Sequence, residues 1–321
     1  MKKYYLGIDL GGTNVAAGVV SADGKILGKG NVPTDLPQES NVIADKMAEA
    51  SRQAMEAAGV GTEDLAWCGV GTPGIANSVT GTVEYCPNLG FCDVPLAHMM
   101  EERLGLKTYL ENDANAAAYG EFRFGAARGS HKALAITLGT GEGGGVIIDD
   151  RIFSGFNFAG AEVGHMVMHQ GGRPCKCGRR GCFEVYASAT GLITTTIEEM
   201  KAHPESRLWE LAPTESDVNG KTAFDAMRLG DEAGITAVNR YIDDLACGLT
   251  SLLNIFQPEI CVIGGGICKE GDTLLVPLRE KVMKEIYLGE NSPAPQIRRA
   301  LLGNDAGIIG AAMLGCLRET N

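Results

Sequence analysis

Residues Gly7–Val20 read GIDLGGTNVAAGVV, and residues Ala135–Ile148 read AITLGTGEGGGVII. Each stretch is a short apolar run, a glycine turn and a second apolar run. Each leads into a hairpin signal, Asp23-Gly24 after the first and Asp149-Asp150 after the second. Little identity is shared between them, yet the tactic of strand, glycine turn, strand and hairpin is the same. A pattern used twice in one chain predicts two related halves, and that expectation organises the rest of the sequence.

Working outward, Lys3–Asp9 reads as the first strand. ESNVIADKMAEASRQAMEAAG reads as an amphipathic helix with Val42, Met47, Ala50, Ala54 and Ala58 on one face, and Gly59 suits its C-terminus. LAWCGVGTPG is a buried strand entering a Gly/Pro loop, LKTYLEND is another strand, and ANAAAYGEFRFGAA opens a helix straight after Asp113. After the second glycine turn, His203–Asn219 is polar and loop-like. GITAVNRYIDDLACGLTSLLNIF is a long helix, EICVIGGGI a buried strand, and DAGIIGAAMLGCL a final helix. Strands alternating with helices give an α/β protein of two domains with a cleft between them. The expected division is residues 1–118, with the helix 305–321 packing back on them, and residues 119–304 carrying the cysteine cluster.

Composition narrows the functions. The net charge is −12, which repels polyanions and anionic membranes, so no nucleic-acid partner is expected. No apolar run approaches the roughly 20 residues of a membrane span; Leu245–Phe256 comes nearest and suits a buried helix. Ten cysteines without a secretion signal point to free thiols and metal ligands in the cytoplasm rather than disulfides. The 44 glycines are about twice the usual share of roughly 7%.

In the turns, glycines let backbone N–H groups converge on a phosphate, and the hydroxyls of Thr13 and Thr140 add donors. Neither turn is a Walker A or a dinucleotide fingerprint, and each alone reads equally as a tight hairpin. Two of them, in related halves, favour a clamp on one triphosphate. Asp9 ends its strand where a carboxylate can hold Mg²⁺ through water, and the glycine run Gly264–Ile267, with Gly264, Gly265 and Gly266, follows the last core strand, where it is expected to pass close under an adenine. Asp113 reads either as a helix N-cap or as a general base, and the helix dipole is expected to keep it ionised. Cys175, Cys177 and Cys182, in the spacing C-x-C-x4-C, with His165 before them, read as a closed zinc site, reduced cysteines being the alternative. His169 is a rival ligand. Arg173, Lys176, Arg179 and Arg180 read as a solvated rim.

DLGGTN, ENDANAAAYGE, LGTGEGGG, AGAEVGH, CKCGRRGCFE and IGGGI together resemble the ROK family, in order and spacing, from end to end. That family groups bacterial sugar kinases with related repressors on the actin/hexokinase-like ATPase fold, whose two domains are ribonuclease H-like duplicates with an active-site cleft. The resemblance implies an ATP-dependent hexose kinase acting at the 6-hydroxyl, with glucose first and fructose, allose or N-acetylmannosamine as alternatives. It makes Asp113 the catalytic base and assigns Gly74, Asn88, Asn112, Asp113, Glu162, His165 and Glu184 to the sugar. It assigns Asp9, Gly11, Gly12, Thr13, Asn14, Gly139, Thr140, Gly141, Gly264, Gly265 and Gly266 to the nucleotide. It favours His165 with Cys175, Cys177 and Cys182 as ligands of a structural Zn²⁺, and implies Mg²⁺ with ATP and a homodimer or tetramer. Glu142 departs from the apolar residue usual in that turn; its side chain is expected to point away from the phosphates. A ROK repressor is disfavoured because only eight residues precede Asp9, too few for a helix-turn-helix. A zinc-ribbon nucleic-acid binder conflicts with the acidic charge.

Overall fold

The computed structural model describes residues 4–287, 289–291 and 293–319, so Lys3 of the expected first strand lies outside the described residues. The chain runs β1 (Tyr4–Leu10), β2 (Asn14–Ser21), β3 (Ile26–Pro33) and α1 (Ser40–Ala58). Then come β4 (Leu65–Thr72), β5 (Ile75–Asn77), β6 (Thr82–Cys86), β7 (Phe91–Val94), α2 (Leu96–Leu104), β8 (Thr108–Asn112) and α3 (Asp113–Phe124). The pattern restarts at β9 (Lys132–Leu138), β10 (Glu142–Ile148) and β11 (Arg151–Ile152). Five helices follow: α4 (Glu184–Ala187), α5 (Ala189–Ala202), α6 (Leu208–Leu211), α7 (Thr222–Arg228) and α8 (Glu232–Phe256). The chain ends with β12 (Ile260–Gly264), α9 (Asp272–Glu285), β13 (Gln296–Arg299), α10 (Ala306–Ala312) and α11 (Cys316–Glu319).

The sheets reveal the duplication. The first has the order β3-β2-β1-β4-β8, the second β11-β10-β9-β12-β13, and a small antiparallel sheet holds β5-β6-β7. In the first sheet the antiparallel β1, β2 and β3 are extended by β4 and β8, which run parallel to each other; in the second, β10 and β11 pair antiparallel and the parallel pair β12 and β13 extends the sheet beyond β9. By contact density the chain forms two units, one of Met1–Ala133, Gly145–Ala161 and Ala300–Asn321, the other of Leu134–Gly144 and Glu162–Arg299.

In the first unit, α1 buries Ile43, Ala44, Met47, Ala50 and Ala54 on the meander. Val42, expected on that face, is exposed, because Ile43 one position on takes its place. Gly59 ends the helix at φ 67°, the left-handed conformation glycine tolerates. The last helix docks against β1 and β4 through glycines. A Cβ on Gly7 would lie 2.0 Å from the Ile308 carbonyl oxygen, and one on Gly69 would lie 1.8 Å from that of Ala311. That helix is not continuous as expected: α10 stops at Ala312, whose carbonyl accepts the Trp67 indole N–H at 2.7 Å, and α11 resumes at Cys316. Residues 320 and 321 lie outside the described residues.

In the second unit, α8 is apolar along one face and fully buries Tyr241, Leu245, Leu249 and Leu253. The polar stretch 203–219 is not all loop. The single-turn α6 seats Leu208 in a small core with Met200, Ala212 and Val218, and the Trp209 indole N–H donates to the Met200 carbonyl at 2.9 Å. Composition hides this turn because two apolar residues suffice to anchor it. Among the described residues no helix is long and apolar enough to cross a membrane.

Candidate active site

In the first unit the parallel strands β1, β4 and β8 bring Asp9, Thr72 and Asn112 to one sheet end. Asn112 is the N-cap of α3: its Oδ1 accepts the N–H groups of Ala114 at 2.9 Å and Asn115 at 3.2 Å. The reading of Asp113 as the cap is therefore corrected. Asp113 is the first helical residue, half-buried, and its Oδ1 accepts the Ala114 N–H at 2.9 Å. Burial raises its pKa above the ordinary carboxylate value, outweighing the hydrogen bonds from the Ala114 and Asp113 backbone N–H groups. Asp9 is pushed up to about 6, first by burial and then by the Asp113 charge.

The Asn112 amide donates to the Gly74 carbonyl at 3.2 Å, joining two of the expected sugar residues. Asn88 is exposed, on a cavity of about 710 Å³ lined also by Gln38, Ser40 and Phe91. One residue here is not singled out by sequence. Glu111, 4% exposed, accepts the Asn112 N–H at 3.0 Å, the Asn115 amide at 3.0 Å and the Ser154 hydroxyl at 3.2 Å. An acid immediately before the Asn-Asp pair was the available signal.

The first glycine turn is open. Gly11 N–H donates to the Asn14 carbonyl at 2.9 Å, the Thr34 hydroxyl donates to the Gly11 carbonyl at 2.8 Å, and Gly12, Thr13 and Asn14 are exposed. The second turn is latched from two helices. Ala189 N–H donates to the Gly139 carbonyl at 2.8 Å, and the Thr190 hydroxyl donates to the Thr140 carbonyl at 2.6 Å. Glu184 Oε2 accepts the Glu142 N–H at 3.1 Å, and a Cβ on Gly141 would lie 2.6 Å from that oxygen, so a larger residue there would displace the Glu184 carboxylate. Glu142 itself is buried at 9% exposure, its side chain directed into the unit. Gly264 closes β12, while Gly265 (φ 91°) and Gly266 are exposed beyond it.

The cysteine stretch gathers as a cluster. One ligand atom each from His165, Cys175, Cys177 and Cys182 lies within 4.8 Å of the others. Cys177 Sγ is 3.7 Å from Cys182 Sγ, and Cys175 Sγ is 3.7 Å from His165 Nδ1. A tetrahedral Zn²⁺ needs S–S edges of about 3.8 Å and S–N edges of about 3.6 Å, so the donor set and its size fit that ion. The Arg179 N–H lowers the Cys177 thiol pKa, whereas burial pushes Cys182 up to about 12. The rival His169 is elsewhere, its Nε2 3.1 Å from an Asp244 oxygen and its ring edge-on to Tyr186. The expected rim is partly corrected. Lys176, Arg179 and Arg180 are exposed, but the Arg173 guanidinium lies 4.8 Å over the Tyr186 ring and donates to Glu198. Its planar fork suits stacking and pairing together. Glu184 Oε1 lies 3.8 Å from Cys175 Sγ, so one carboxylate touches both the glycine turn and the cluster; Glu162 is exposed, three residues before His165.

Two sheets of one topology, each with a glycine turn after its first strand, and an acid at a strand–helix junction define a duplicated ATPase-type α/β protein. The chain belongs to the ROK family, whose sequence profile matches residues 5–316. It is 38% identical to a glucokinase of Thermotoga maritima over 96% of both chains. It is 27% identical to a xylose repressor of Bacillus spizizenii over 91% of this chain and 75% of that one. A ROK glucokinase of Streptomyces griseus solved with glucose and AMPPNP superposes with a TM-score of 0.82 at 37% identity, covering 97% of this chain and 98% of that one. The ROK hexokinase of Thermus thermophilus gives 0.79 at 33% identity, over 98% of both chains. The fold is the two-domain actin/hexokinase-like ATPase fold.

Proposed function

We propose that this chain is an ATP-dependent glucose kinase transferring a phosphoryl group to the 6-hydroxyl of glucose. The observation that carries the chemistry is Asp113, a carboxylate at the start of α3 just after β8, whose pKa burial raises. A general base works best when its pKa lies nearer the working pH, so Asp113 takes the proton of the attacking hydroxyl. The relatives named glucokinases and the neighbour holding glucose and AMPPNP support the substrate pair.

Asn112, Gly74, Asn88, Glu162, His165 and Glu184 bind the sugar. Asn112 keeps one amide hydrogen for a hydroxyl beyond its bond to Gly74, and carboxylates accept several sugar hydroxyls at once. Asp9, Gly11, Gly12, Thr13 and Asn14 together with Gly139, Thr140 and Gly141 hold the phosphates through backbone N–H groups and hydroxyls. Gly264, Gly265 and Gly266 lie against the base. Asp9 would hold Mg²⁺, which would supply charge neutralisation at the phosphates. His165 Nδ1, Cys175, Cys177 and Cys182 would hold a structural Zn²⁺, which would fix the second-unit segment that carries Glu162 and Glu184 and leave His165 Nε2 to donate to the sugar. The protein works in the cytoplasm as a homodimer or tetramer.

The test is ADP release across a panel of glucose, fructose, allose, mannose and N-acetylmannosamine, with Asp113→Asn as control. Preference for another hexose would reassign the substrate. A sugar-responsive regulator, the second reading, is motivated by the repressor relative; it predicts sugar binding without ADP release.

A further inference from the structure

Glu142 is the one residue of the second glycine turn whose position the kinase reading leaves unexplained. It opens β10 with its side chain buried, and neither carboxyl oxygen has a hydrogen-bond partner. Leaving a buried acid unpartnered is costly, and an apolar residue would avoid that cost. Its backbone N–H donates to Glu184 Oε2. The titratable groups facing it are Glu184, from α4, and the fully buried Tyr241, from α8, whose hydroxyl donates to the Ala187 carbonyl at 2.7 Å. Its neighbour Gly141 lies against the same Glu184 oxygen, and Gly164, adjoining His165, packs on its carbonyl and Cβ. Glu142 therefore stands behind the turn at the point where the turn, Glu184 and the His165 segment meet.

We propose that Glu142 is a proton-controlled positioning residue of the second glycine turn. Uncharged, it leaves the negative charge behind the turn to Glu184 and keeps the Glu142 N–H bond to that carboxylate; charged, it repels both Glu184 and the nucleotide phosphates. The proton exchanges with solvent, and no chemistry at the transferred group is involved. Burial and the Glu184 charge both favour the uncharged form, and raise the pKa of Glu142 well above the usual carboxylate value. The sign follows. A carboxyl whose folded pKa is raised contributes stability that is present at low pH and lost as pH rises through that pKa. Nucleotide affinity through this turn is lost in the same direction.

The inference rests on the turn binding phosphate, so the experiment separates the two ideas. Dissociation constants for Mg²⁺-AMPPNP are measured by calorimetry from about pH 6 to about pH 9 for the full-length protein, Glu142→Gln, Glu142→Leu and Gly139→Val. The nucleotide's own titration cancels in ratios to Glu142→Gln. The expected result is a wild-type affinity that weakens about tenfold relative to Glu142→Gln across that range, with Glu142→Leu parallel to Glu142→Gln. The thermal midpoint of Glu142→Leu should also gain on wild type as pH rises, a readout that needs no nucleotide. A constant wild-type to Glu142→Gln ratio with a constant midpoint difference overturns the inference. Unchanged affinity in a folded Gly139→Val instead removes the phosphate reading, while the midpoint test still stands or falls alone.

Discussion

The two glycine turns follow equivalent strands in sheets of identical order, yet they are built differently. The first is exposed at Gly12, Thr13 and Asn14, and is tied from within the turn and by Thr34. The second is tied by Ala189, Thr190 and Glu184, and its following residue, Glu142, is buried where Asn14 is exposed. A duplicated motif thus keeps its place in the sheet while its surroundings decide its freedom. The first turn has room to adjust to a ligand; the second is coupled to the residues that the kinase reading gives to the sugar, through Glu184.

The sharpest test of that contrast starts outside both turns. Asp113→Asn should lower kcat by about 10²- to 10⁴-fold with little change in KM, read by coupled ADP release. Retained turnover would mean the base lies elsewhere. Next, Cys177→Ser or chelation should strip the metal and weaken glucose binding by about 10- to 100-fold, because the cluster supports the segment bearing Glu184. Metal content by elemental analysis beside glucose affinity checks this, and full affinity in metal-free protein would refute the link.

The turns themselves are compared by alanine. Gly141→Ala drives a Cβ against Glu184 Oε2 and should cost about 0.5–1.5 kcal/mol by displacing that carboxylate from the Glu142 N–H; a separate loss of about 1.4 kcal/mol in nucleotide binding would raise its KM about tenfold. Gly12→Ala meets nothing nearer than Leu36 at 3.9 Å and should change stability by less than about 0.5 kcal/mol. Equal effects would erase the distinction between latched and open turns. The smallest effect concerns pH. Because Asp9 titrates near 6, its contribution to stability is present below its ordinary value of 3.8 and is lost as pH rises through about 6. Asp9→Asn should therefore gain in thermal midpoint over wild type between about pH 4 and about pH 7. Conversely, wild-type kcat/KM should fall as pH drops through about 6.

Much of this was legible in the chain because glycine, proline and cysteine carry local geometry with them. The paired turns, the Asp23-Gly24 hairpin, α1 with its Gly59 terminus and the long α8 follow from short-range pattern. So did the grouping of His165 with the three cysteines, once the motifs were taken together. What stayed hidden depends on partners distant in sequence. Glu111 joins Asn115 and Ser154; Arg173 leaves the surface for Tyr186 and Glu198; Trp67 ends α10 by taking the Ala312 carbonyl.

By itself the sequence determined the class of fold, the two glycine turns and the close C-x-C-x4-C spacing, because each rests on conformational preferences and spacings within a few residues. Only the tertiary structure decided which residue caps α3, which way burial shifts Asp9, Asp113 and Glu142, and that Glu184 spans the second turn and the cysteine cluster. Those properties come from desolvation and from contacts between segments tens of residues apart, which no local pattern encodes.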